Sequence, residues 1–198
     1  MPCQHPIILE ILRNHPLSYV LSEKAEVPEI YVQQFWHTLE YVKVNRPGAS
    51  HFRGRIDNRV VRLSFSLFRC ILSLPEGNTI QNPFPNIEPT PRFASTLEDS
   101  ELCVAVRQLG YTREFPFLGR FKRMYLANIW YTLFSILNRC LSSRSKGIDQ
   151  CSSNFLYLFI SCATNRHVDY SLILWKELKD VVGDKSKPSK DRVFLPFP

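Results

Sequence analysis

Arginine is the residue whose spacing stands out in this 198-residue chain. The run His51-Phe52-Arg53-Gly54-Arg55-Ile56 is followed by Asp57-Asn58 and then by Arg59-Val60-Val61-Arg62-Leu63. A guanidinium presents a planar fork of donors that matches a phosphate, so Arg53, Arg55, Arg59 and Arg62 together could grip a nucleic acid backbone. A second group, Arg120, Lys122 and Arg123, lies beside Phe121. The structural alternative for both groups is solvated surface charge, which on a short sheet also discourages pairing with other chains.

Other chemistry finds no motif. The sequence contains no G-x-x-x-x-G-K-[ST] phosphate loop, no G-x-G-x-x-G and no H-E-x-x-H. Cys3, Cys70, Cys103, Cys140, Cys151 and Cys162 include no C-x-x-C pair, and Cys151, Cys162 and His167 are too widely spaced for a compact tetrahedral metal site. His5, His15, His37, His51 and His167 are scattered, with no spacing that ties one to a cysteine nucleophile. His167-Val168-Asp169 reads more economically as a turn and a helix cap. The expectation is a protein that is not an enzyme and has no cofactor and no metal.

The elements that must position the arginines follow from periodicity. Asp-Asn between two short runs of β-type residues is a tight hairpin turn, and with Tyr41-Val42-Lys43-Val44 ahead of it a hairpin or three-stranded meander is expected around residues 42–63. Its solvent face is expected to carry Arg53, Arg55, Arg59 and Arg62. Around it the pattern is helical. Ile7, Ile8, Ile11 and Leu12 suggest a short helix that Asn14-His15-Pro16 ends, and Leu17 to Leu21 a second. Pro28, at the first helical position, opens a helix with Tyr31, Val32, Phe35, Trp36 and Leu39 in one stripe, running to about Tyr41. Ser64 caps a helix from Phe65 to Leu74. Five prolines between 75 and 92 mark a loop. Thr96 to Asp99 resembles a capping box, and the helix it opens ends at Gly110.

After the aromatic linker Phe115–Phe121, Lys122 to Leu141 reads as one long helix, apolar on nearly every face and therefore central. The window from Met124 to Leu141 is nearly membrane-length, but Asn128, Asn138 and Arg139 make a buried helix the better reading. Ser152 or Ser153 and then Asp169 open the last two helices. The fold class is thus mainly α, a helical bundle carrying a small β-meander. Residues 1–24 are expected as an N-terminal helical extension, 25–183 as the main domain, and 184–198 as a charged tail.

Apolar residues make up 44% of the chain and aromatics 13%, enough for a core rather than disorder. The net charge of +7 is unevenly distributed. Residues 41–72 hold seven basic groups against one acidic, and 107–146 eight against one, while 1–40 and 73–106 are net acidic. Either the two basic segments meet to form a polyanion-binding face, or each lies against an acidic one. The N-terminus has no secretory pattern, so reduced thiols and an intracellular location, cytoplasmic or nuclear, are expected.

The order of blocks resembles a family of plant retrotransposon-derived helical proteins, found where a gag-like region sits at the start of the element's reading frame. The blocks are Val27-Pro28-Glu29-Ile30-Tyr31-Val32-Gln33-Gln34-Phe35-Trp36; Phe52 to Leu74-Pro75; Glu101 to Leu109-Gly110-Tyr111; Trp130 to Leu141-Ser142 with Gly147-Ile148-Asp149; and Asn165 to Leu178. They span about residues 25–182. Phe194 to Pro198 looks like the start of a further block, which suggests a truncated copy. The resemblance implies a non-enzymatic, gag-like protein that self-associates as a homo-oligomer and binds RNA or DNA, with no membrane partner. It carries over no binding residues. The alternative is a protein–protein interaction module or an inactive transposon relic.

Overall fold

The computed structural model describes residues 6–23, 26–46, 48–74, 99–113, 120–141, 152–164 and 168–183. The proline-rich loop, the capping box at Thr96, most of the 115–121 linker, the 142–151 break, His5, His167, Cys3, Cys151 and the tail from 184 fall outside the described residues.

The chain is mainly helical with one small antiparallel sheet. Two short helices, α1 (Pro6–Arg13) and α2 (Ser18–Ser22), precede α3 (Glu29–Thr38). The sheet follows, with β1 (Glu40–Val42), β2 (His51–Ile56) and β3 (Arg59–Ser64) in the order β1-β2-β3. Then come α4 (Phe65–Ile71), α5 (Asp99–Gln108), a 3-10 turn at Arg123–Tyr125, α6 (Asn128–Leu141), α7 (Ser153–Ala163) and α8 (Tyr170–Gly183).

Several helix ends are where their residues place them. The Ser64 hydroxyl accepts from Leu67 N (3.2 Å), the Ser152 hydroxyl from Phe155 N (3.0 Å), and Asp169 Oδ1 from Leu172 N (3.0 Å). Each satisfies an amide that the first helical turn leaves without a partner. Gly110, at φ +77°, follows α5 in the left-handed conformation expected of a C-terminal cap.

The central helix is α7, not the segment before it. Phe155 to Cys162 are buried without interruption, and α7 packs against α5, α6 and α8. The expected single helix from Lys122 instead breaks at its start. Lys122 and Leu126 are extended, Tyr111 Oη accepts from Lys122 N (2.9 Å), and Thr112 N donates to Tyr125 O (2.9 Å). These tertiary bonds override local helical preference, and α6 begins only at Asn128. It buries one stripe, Leu133, Phe134, Leu137, Asn138 and Leu141, and leaves Tyr131 37% exposed.

Helices α1 and α2 lie against the same core. Ile8 and Leu17 are fully buried and Val20 nearly so. Helix α3 is shorter than expected. Pro28 caps it from outside, and Leu39 turns extended so that Glu40 can enter β1. No residue of α3 is fully buried, yet Phe35 lies directly on Gly54, where a Cβ would meet the ring at 2.7 Å. Trp175 of α8 gathers Phe52, Phe65 and Phe68 with centroids 4.5, 5.5 and 5.2 Å away, which ties the sheet and α4 to the bundle. The order of packing is therefore α3 and the sheet, then α8 with α4, then α7, then α5 and α6.

Candidate nucleic-acid interface

The hairpin at the centre of the arginine run is tight and well anchored. Asp57 and Asn58 have φ of 48° and 61°, the pair of positive values that a type I′ turn requires. Asp57 N donates to Gln34 Oε1 (2.8 Å), and Arg55 N to Thr38 Oγ1 (2.7 Å), so α3 holds both the turn and the strand before it. The register pairs Arg53 with Arg62, Arg55 with Val60 and Ile56 with Arg59.

Residues paired across a sheet point to the same side, and neighbours along a strand point to opposite sides. Arg53, Arg55 and Arg62 therefore share one face with Val60, and all four are exposed. Arg59 belongs to the opposite face, with Gly54, Val61 and Leu63, and is exposed only because it sits at the hairpin tip. The expectation that four arginines share the solvent face is corrected to three. Arg59 and Arg62 are three residues apart, an odd spacing that puts them on different sides of any strand.

One of the three is already engaged. Glu40 lies opposite Arg53, and its Oε1 is 2.6 Å from Arg53 Nε and 2.5 Å from Nη2. Both side chains are about half exposed, so the pair contributes at most about 1 kcal/mol and leaves part of the guanidinium free. Arg55 and Arg62 carry no such partner among the described residues.

The second basic group is built differently. Arg120 and Lys122 are exposed. Arg123 lies over the Tyr131 ring (5.2 Å to the centroid) with Nη1 3.4 Å from Ser135 Oγ. Arg113, not singled out from the sequence, lies over Tyr125 (5.2 Å) and donates to its hydroxyl (2.5 Å). Charge density alone could have flagged Arg113, but not its ring partner. This group rests on α6, at the other end of the packing order from the sheet. Arg53, Arg55 and Arg62 thus lie on the outer face of the sheet, Arg59 on its other side at the hairpin tip, and Arg120, Lys122 and Arg123 around the turn that leads into α6.

Sequence reasoning also missed a buried polar chain. His15, 6% exposed, accepts from Leu17 N at Nδ1 (3.1 Å) and meets Tyr170 Oη at Nε2 (2.8 Å). With Nδ1 accepting, the proton lies on Nε2, and His15 donates to the phenol. Tyr170 also hydrogen-bonds Cys162. Burial pushes the Cys162 thiol far up and the Tyr170 phenol well up, so neither is an anion near neutrality. A thiol held protonated is a poor nucleophile, and the chain serves as a clasp between the N-terminal helices and α7–α8.

Among the described residues, no three His, Cys, Asp or Glu side chains gather as a metal site, and no helix is long and apolar enough to cross a membrane. No family model, curated protein or solved structure matches the chain.

Proposed function

We infer that this chain is a non-enzymatic nucleic-acid-binding protein of gag-like type, derived from a plant retrotransposon and acting inside the cell, in the cytoplasm or nucleus. It holds RNA or DNA by phosphate contacts. The observation that carries the binding reading is the outer face of the sheet, where Arg53, Arg55 and Arg62 stand exposed together on strands fixed by α3. Such a face neutralises phosphates without reading base edges, so it binds weakly and with little sequence preference. The family part of the reading rests on the order of the five sequence blocks.

The test is fluorescence anisotropy with labelled RNA and DNA single strands of mixed sequence, titrated across ionic strength. Three phosphate contacts predict a log K against log salt slope of about −2 on single strands. No binding at low salt, or binding indifferent to salt, removes this reading.

A second reading, a protein interaction module that self-associates or binds another protein, is favoured by a different surface. Val27, Ile30, Tyr31 and Val32, at and within the start of α3, are 51, 55, 37 and 38% exposed. A concentration-independent monomer in light scattering would remove self-association from both readings.

A further inference from the structure

The hairpin has a second feature that its arginine face does not use, namely the free edge of β3. In a two-residue hairpin the closing pair, Ile56 and Arg59, exchanges both backbone hydrogen bonds, and bonded pairs then alternate. Gly54–Val61 and Phe52–Leu63 are bonded, while at Arg55–Val60 and Arg53–Arg62 the backbone groups point away from the partner strand. On the β2 side this is visible directly, because Arg55 N turns from β3 and donates to Thr38 Oγ1. On the β3 side, the N–H and C=O of Val60 and Arg62 turn outward. β3 is the last strand of the sheet, and among the described residues nothing pairs with that edge. Val60 is 53% exposed.

The side chains along this edge select what can join it. Arg59-Val60-Val61-Arg62 places a guanidinium at each end of an apolar pair, Arg62 on the outer face and Arg59 on the inner. An added strand sets one residue beside each of these four. Carboxylates beside Arg59 and Arg62, with apolar residues beside the two valines, complement the edge in charge and in shape. A second copy would instead bring its own Arg59 and Arg62 to the same short edge, and like charges there oppose pairing. We propose that the free edge of β3 is a docking site for an extended acidic peptide segment of the pattern Glu-Val-Val-Glu, taken up as a fourth strand of the sheet. The proposal shares Arg62 with the nucleic-acid face but adds the backbone edge, so Val60→Pro, which removes no charge, tells the two apart.

The test uses the full chain and two labelled peptides flanked by threonines, one with a Glu-Val-Val-Glu core and one with Lys-Val-Val-Lys. The acidic peptide should bind at least about tenfold more tightly, the effect of roughly one charge-assisted contact. Val60→Pro removes an outward N–H that no ladder bond uses, and should lower acidic-peptide binding about tenfold while leaving nucleic-acid retention unchanged. Joint Arg59→Glu and Arg62→Glu replacement should reverse the peptide preference. Should Val60→Pro disturb the fold by circular dichroism, methylating alternate amides of the acidic peptide makes the same cut from the other side. Equal binding of the two peptides, or binding indifferent to both backbone blocks, overturns the proposal.

Discussion

Tyr170 is the residue on which the clasp between the chain's start and its last two helices turns. Its hydroxyl accepts a hydrogen bond from His15 Nε2, 155 residues away in sequence, and bonds Cys162. Tyr170→Phe removes the buried bond to His15 and should cost about 1–3 kcal/mol in urea unfolding. The pH dependence has a definite sign. Burial raises the Cys162 thiol above its ordinary 9.0 and the Tyr170 phenol above its ordinary 10.0, so the unfolded chain loses these protons first. Their contribution is complete below about pH 9 and declines as pH rises beyond it. Urea midpoints should fall on the alkaline side, less steeply in Cys162→Ala. Ser161 offers the opposite case. Its hydroxyl is fully buried with no hydrogen-bond partner, so Ser161→Ala should leave stability unchanged or raise it by up to about 1 kcal/mol. None of this was legible in the sequence, since contacts between residues so far apart follow no spacing rule, whereas the caps Ser64, Ser152 and Asp169 were, because a cap acts within three residues of itself.

At the scale of elements, the hairpin shows both what local chemistry dictates and what it does not. Asp57-Asn58 announces its turn because few side chains accept two successive positive φ angles. Asn58→Val should therefore destabilise by about 1 kcal/mol or more, measured by thermal melting. The seat of α3 on the sheet is a tertiary fact. Gly54 leaves room for the Phe35 ring, and Gly54→Ala should cost about 1–3 kcal/mol by pushing α3 off β2, with the loss visible in the same melts. The start of α6 departs from its sequence pattern for a related reason. Lys122 to Tyr125 has helical composition, but bonds from Tyr111 and Thr112 hold it extended or in a 3-10 turn. The all-apolar stretch before α7 is not the centre of the fold, because apolar content does not reveal which neighbours enclose a helix. Tyr131 and Met124 remain exposed while all of Phe155–Cys162 is enclosed.

Across the whole molecule, exposed basic groups stand on the outer face of the sheet and around the turn that leads into α6. The mainly helical fold with a small meander was readable from periodicity, and so was the arginine hairpin. Arg59's side was readable from parity alone, but the seat of the second basic group against α6 is a tertiary fact that no spacing announces. Of the two sites, the sheet face offers arginines without ring partners, while Arg113 and Arg123 lie over tyrosines. The most direct test of the account compares nucleic-acid anisotropy for two triple variants at low ionic strength. Arg53→Ala, Arg55→Ala and Arg62→Ala together should weaken binding at least about tenfold and flatten its salt dependence, with the melting curve preserved. Arg120→Ala, Lys122→Ala and Arg123→Ala should have a smaller effect. Full affinity in the first variant, or a greater loss in the second, would contradict the assignment of the sheet face as the contact surface.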